Sequence, residues 1–232
     1  DFYLVNNDTG FISIQTNLSE RVRIKSDGNV GIGTNNPAAK LVVSGSSATS
    51  IIDGVRIGRG AGNIVNNTVL GNAALTSNTT GTNNTAIGLN ALQNNTSGID
   101  NTAVGVLALG NNLSGSSNVA VGRYALLSNT VGSSNVAIGV GSLQSNTTGK
   151  YNTAVGQGSL QSNNTGINNS AFGFQALFTN TSGTNNNAFG SYALRNNLTG
   201  VQNNAFGNFA LIANTTNNNN AFGTFALASN TT

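Results

Sequence analysis

Residues Asn83–Leu92 read NNTAIGLNAL; seventeen residues on, Asp100–Leu109 read DNTAVGVLAL, and after another seventeen, Ser117–Leu126 read SNVAVGRYAL. Anchored on the glycine of the AIG/AVG/AFG triplet, copies fall at Gly71, Gly88, Gly105, Gly122, Gly139, Gly156, Gly173, Gly190, Gly207 and Gly223. The step is 17 residues eight times and 16 once. A fixed period of this length is the mark of stacked structural repeats. Every copy has Leu four residues after the glycine, as at Leu92, Leu109 and Leu126. Asn lies four residues before the glycine in every copy (Asn84, Asn101, Asn118) and again three after the leucine (Asn95, Asn112, Asn129). A second glycine closes eight copies, Gly81 to Gly200, and is missing at Asn217 in the short copy.

Each copy thus holds two short apolar segments, TA[V/I/F]G and AL, between turns rich in Asn, Thr and Gly. β-Branched residues beside the glycine favour a strand, and Gly and Asn suit the left-handed backbone of tight corners. Stacked coils set equivalent residues about 4.8 Å apart, where asparagine amides can hydrogen-bond in ladders. The expected fold is all-β, a parallel β-solenoid of about ten 17-residue coils over residues 64–232. The structural ladders would be Asn84, Asn101 and Asn118; Asn95, Asn112 and Asn129; Leu92, Leu109 and Leu126; and Gly88, Gly105 and Gly122. The AL arm is also open to a second reading, a single helical turn. One Leu and one Val, Ile or Phe per coil is little apolar burial against the entropy of fixing seventeen residues. That imbalance predicts a core shared between chains, with three copies around one axis as a homotrimer. The change from Val or Ile to Phe after about residue 170 suggests that this core alters its width.

Composition bounds the chemistry. Of 232 residues 38% are hydrophobic and only 6% charged, against about a quarter in typical domains. Six of the nine basic residues lie before residue 60, interleaved with five of the six acids. No basic stripe of the kind nucleic acid requires is present. Cysteine and histidine are absent, which removes thiols, disulfides and the commonest general base and zinc ligand. No apolar run reaches the ~18 residues of a membrane span. No catalytic residue, metal site or cofactor is expected: the repeats carry a single acid, Asp100, and no Ser has a His to activate it. Asp27 and Asp53 each precede a glycine and read as turn residues rather than calcium ligands. Threonines near the turns (Thr79, Thr80, Thr96, Thr130, Thr147) raise an ice-binding reading, but their position wanders. Tyr124, Tyr151, Tyr192, Phe209 and Phe225 raise sugar stacking, against core or inter-chain packing for those in register.

The N-terminal part reads differently. FISIQTN (11–17) and RVRIK (21–25) alternate as half-buried strands do, and SDGN (26–29) carries a hairpin Asp-Gly pair. Residues 1–45 are expected to form a small β-hairpin module and 46–63 a Gly/Ser-rich junction. The chain begins at Asp1 without Met and stops inside a repeat, which reads as a piece of a longer or processed chain.

Two resemblances add to this. ERVRIKSDGNVGIGTNNPAAKLVVSG (20–45) resembles a connector of phage tail-fibre proteins, where it often lies upstream of an intramolecular trimerisation chaperone. SNVAVGRYAL and SNVAIGVGSL are similar to the head repeats of trimeric autotransporter adhesins, whose repeats build a trimeric β-roll of shorter period. These resemblances imply an extracellular structural shaft. It would be a homotrimeric virion appendage that presents a tip to a host cell-surface glycan or protein, or alternatively a bacterial surface adhesin. Neither nucleic acid nor membrane insertion is expected.

Overall fold

The computed structural model describes residues 2–7, 10–16, 19–43, 49–52, 55–64 and 66–230. The turn expected at Asp53 and residues 46–48 of the junction lie outside the described residues. Two compact units result, Asp1–Ser50 and Ile51–Thr232. Among the described residues no helix is long and apolar enough to cross a membrane.

The first unit is a five-stranded sheet in sequence order: β1 (Phe2–Asn7), β2 (Phe11–Thr16), β3 (Ser19–Ile24), β4 (Val30–Ile32) and β5 (Leu41–Val43). Its first four strands are antiparallel and β5 joins β4 in parallel. SDGN makes the expected hairpin between β3 and β4: Gly28 N–H donates to Lys25 O, and Lys25 N–H to Asn29 O. The register sets Ile12 opposite Ile24, Ile14 opposite Val22, and Ile24 opposite Val30. These apolar residues share one face, and within the unit that face is open: Ile12, Ile24 and Ile32 are 42%, 40% and 41% exposed. The opposite face buries Ser13 and carries Arg23, which lies 3.8 Å from the Phe11 ring centre and holds Glu20 at 2.5 and 2.6 Å.

The second unit is a parallel β-solenoid. β6 (Thr49–Ile52) and β7 (Val55–Gly58) lead into ten stacked rungs. The rungs are β8 (Thr68–Gly71), β9 (Thr85–Ile87), β10 (Thr102–Val104), β11 (Val119–Val121), β12 (Val136–Ile138), β13 (Thr153–Val155), β14 (Ser170–Phe172), β15 (Asn187–Phe189), β16 (Asn204–Phe206) and β17 (Asn220–Phe222). Each pairs in parallel with the next, alanine opposite alanine from Ala86 to Ala221. β7 instead meets β8 antiparallel, and a 3-10 turn at Ala61–Asn63 lies over the first coil, with Ala61 N–H donating to Leu75 O. Residues 55–63, read from sequence as junction, are therefore ordered structure that closes the first rung.

Each coil has one strand, of four residues in β8 and three in β9–β17. Because successive strand residues face opposite ways, only the central alanine of TAI or NAF points inward. Ala86, Ala91 and Leu92 and their equivalents at Ala103, Ala108 and Leu109 are fully buried. This corrects the expected core in two respects. The Val, Ile or Phe before the glycine points outward, so the change to Phe at residue 172 leaves the interior unchanged. Leu92, Leu109 and Leu126 are sealed inside their own chain, so the leucine column is not a core shared between chains. The coil is too narrow for two large side chains, and Ala with Leu fills it.

The AL arm is not a helical turn. Successive four-residue turns run through it, each sharing residues with the next, with Ala91 N–H donating to Gly88 O, Gln93 N–H to Asn90 O and Asn95 N–H to Leu92 O. Asn90 and Leu92 have φ of 58° and 49°. Their N–H groups consequently point in opposite directions along the stack, Asn90 to Asn72 O in the coil before and Leu92 to Ala108 O in the coil after. Gly141 shares the column of Asn90, Leu107 and Tyr124, has φ 67°, and a Cβ there would first meet the mobile end of Gln144 at 3.2 Å. Gly141→Asn should therefore raise stability by roughly 0.5 kcal/mol, through a less flexible unfolded chain. Thermal unfolding of the variant checks this, and a clear loss would show that the column depends on glycine there.

Candidate functional site

The repeated polar residues of the solenoid form two buried ladders. In the first, made of Asn84, Asn101, Asn118 and their equivalents, Asn101 N–H and Nδ2 both donate to Asn84 Oδ1, at 3.0 and 3.1 Å. Asn118 repeats the pattern on Asn101 at 3.0 and 3.1 Å. In the second, Asn112 Nδ2 donates to Asn95 Oδ1 and Asn129 Nδ2 to Asn112 Oδ1, both at 2.7 Å. The ladders meet at the closing glycines. Gly115 O accepts from Asn101 Nδ2 and from Asn112 Nδ2, each at 2.9 Å. Every amide hydrogen of Asn101 and Asn112 therefore has a partner, which is the condition for burying an amide without large loss. Aspartate has no donors and serine no second hydrogen, which explains why Asn alone fills these positions.

Two kinds of glycine lock the rungs. Gly88, Gly105 and Gly122 have φ of 131°, 136° and 133°, and a Cβ on Gly88 would stand 2.6 Å from Gly105 O. The closing glycines need no left-handed backbone. They are required because a Cβ on Gly115 would meet Asn112 Oδ1 at 2.5 Å and Asn129 Nδ2 at 2.7 Å. Sequence reasoning assigned both kinds to corner geometry; close approach between coils is the reason for the second.

The outer surface answers the remaining readings. Thr79, Thr96 and Thr130 Oγ1 donate to carbonyls of the following coil at 2.9, 2.9 and 3.1 Å, and Thr147 does likewise to Asn164. These hydroxyls join coils rather than forming a free array to match ice. Phe172, Phe189, Phe206 and Phe222 stack at 4.8, 4.9 and 5.0 Å with ring planes within 8°. Tyr192, Phe209 and Phe225 form a second column at 4.9 Å. Stacking a sugar needs a free ring face, and Phe189, Phe206 and Phe209 are covered on both. Tyr124 lies under the Arg123 guanidinium, 4.4 Å from its centre, while Tyr151 is 62% exposed. Asp27 sits in its turn, where the Asn29 N–H, with Lys25 and Lys40 nearby, holds its carboxylate below the usual range. Among the described residues no three His, Cys, Asp or Glu side chains come together. Among the described residues, buried polar side chains of the solenoid are confined to Asn and Ser. The arrangement can transmit load from rung to rung and present a regular outer surface. No protein-family model, no curated protein and no solved structure matches this chain.

Proposed function

We propose that the chain is the structural shaft of an extracellular host-attachment fibre, a phage tail fibre or similar virion appendage, assembled as a homotrimer. The observation that carries this reading is the use of the repeated residues. Asn, Leu, Ala and Gly at every rung hold coil to coil, and the side chains left over vary from copy to copy. Selection for rung-to-rung cohesion suits a spacer, and ten rungs at the ~4.8 Å of neighbouring strands give a rod of about 45 Å. The connector-like run at residues 20–45 supports a fibre, and an open apolar face on the first unit supports association. The SNVAVGRYAL-type repeats favour a second reading, a trimeric adhesin on a bacterial surface.

Two measurements test this. Light scattering on the purified chain should give three times the 23.4 kDa of one chain; a single-chain mass would remove the trimer. Immunogold labelling of the native source should decorate particle appendages. Label on the cell envelope would favour the adhesin, and label confined to the cell interior would overturn both.

A further inference from the structure

We propose that the outward face of β8–β17 is the seam along which copies of this chain pack, parallel and in register. The inference rests on the oligomeric shaft reading and names its surface and alignment.

Each strand turns its first and third side chains outward, so ten rungs present two straight columns of ten. The third-position column runs Leu70, Ile87, Val104, Val121, Ile138 and Val155, then phenylalanine four times. Within the single chain none of these ten is buried; Leu70, Ile138 and Phe222 are 44%, 40% and 72% exposed. The first-position column is Thr or Val down to Thr153, then Ser170 and three asparagines. Neither column contains a charge over its full length. Asp100, Lys150 and Arg195 occupy other columns, and Arg123 lies just beside the face, folded over Tyr124. A long uncharged apolar stripe marks an interaction surface. Absence of charge also leaves it no electrostatic means of selecting a different protein, whereas another copy carries the same columns at the same spacing.

Register follows from a coincidence between the two columns. Where the third position changes from Val or Ile to Phe, at residue 172, the first position changes from Thr or Val to Ser and Asn, at residue 170. The face is thereby divided into an aliphatic segment, β8–β13, led by Leu70 and otherwise Val or Ile at the third position, and an aromatic segment, β14–β17. Asn187 Nδ2 to Asn204 Oδ1, and Asn204 Nδ2 to Asn220 Oδ1, tie the polar column of the second segment at 2.8 and 2.7 Å. Parallel, in-register copies put phenylalanine rungs beside phenylalanine rungs and valine beside valine, so the seam stays evenly filled. Antiparallel copies would set ring against β-branched side chain on most rungs and leave steps. The face, about 45 Å long and two columns wide, offers roughly 500 Å² before its ridges are counted, of the order of the ~800 Å² per partner in stable interfaces.

The chain has no cysteine, which makes the test direct. In the full chain, Val121→Cys, Phe189→Cys and, on the exposed turn arm, Ser145→Cys are oxidised separately and run on denaturing gels. The first two should each form a covalent dimer, because the same rung of two copies meets at the seam, and Ser145→Cys should stay single. Cross-linking of Ser145→Cys alone would overturn the seam while leaving an oligomeric shaft in place. Dimers from Val121→Cys only when combined with Phe172→Cys would overturn the parallel register. Val121→Glu points outward, so it should keep the circular dichroism of the parent and fall to single-chain mass. Retained oligomer mass in that variant would overturn the seam, and a single-chain mass for the unmodified protein would overturn seam and trimer together.

Discussion

Asn118→Asp is expected to destabilise the solenoid by about 3–5 kcal/mol at pH 8, although the side chains are nearly identical in shape. Asn118 is fully buried. Its Nδ2 donates to Asn101 Oδ1 at 3.1 Å and to Gly132 O at 2.9 Å, and its Oδ1 accepts from Asn135 N–H and Nδ2 at 3.0 and 3.2 Å. A carboxylate keeps the accepting oxygen but turns a second, negatively charged oxygen towards two oxygens that had been receiving hydrogens. Burial and these facing lone pairs raise the folded-state pKa of the new carboxyl above its unfolded value of about 3.9. The sign follows: the penalty is smallest below the unfolded pKa, where both states are protonated, and grows as pH rises towards the folded pKa. Denaturation midpoints at pH 4 and pH 8 should therefore separate for the variant, with greater stability at pH 4. Asn94→Asp, on a partly exposed column where Asn94 Nδ2 meets Asn111 Oδ1 at 3.1 Å, should change stability by no more than about 0.5 kcal/mol. An equal loss at both pH values would show that packing, not the direction of the amide bonds, holds the ladder.

How far the sequence could be read depends on which physical quantity set each position. The asparagine columns were legible because only a carboxamide supplies two donors and an acceptor at a buried, repeating site, and asparagine is the shorter of the two residues that carry one. The 17-residue step was legible for the same reason. The facing of the strand was not. In a three-residue strand, alternation offers too few positions to declare an inside, and the larger Val, Ile and Phe draw attention as core. Interior width decides the matter, and it admits Ala86 with Leu92 but leaves Ile87 outside. Leu92 and its equivalents also take φ near 50° in every copy, a conformation that costs a non-glycine residue about 1–2 kcal/mol. No propensity scale would place leucine there. Burial of the side chain offsets the strain, and the repeated N–H reversals at Asn90 and Leu92 join each coil to both neighbours. In the first unit, alternation correctly gave strands β2 and β3 but not which face is covered: Ser13 is buried while Ile12 and Ile24 are open.

Gly115→Ala should cost about 3–5 kcal/mol, by overpacking together with displaced hydrogen bonds. The backbone there lies outside the left-handed region, so alanine is conformationally acceptable and the whole effect is one of contact. The added methyl group would press on Gly132 O, Asn112 Oδ1 and Asn129 Nδ2, which are backbone and ladder atoms with no freedom to withdraw. Pushing them apart loosens the Gly115 and Gly132 carbonyls, each of which joins the two ladders. The short copy shows what the fold does without this glycine. With one residue fewer, Thr216 O takes the place of the glycine carbonyl and accepts from Asn203 Nδ2 and Asn214 Nδ2, both at 2.8 Å. The ladders thus require a carbonyl at that point, and a side chain is tolerated only where the coil is re-registered around it. In a stacked array the damage should spread to adjacent rungs before the rest. Hydrogen exchange of Gly115→Ala is therefore expected to lose protection first between about residues 95 and 135, with the outer coils holding longer. Protection unchanged from the parent would mean that the coils can move apart by the width of a methyl group, and the close-approach account of the closing glycines would be wrong.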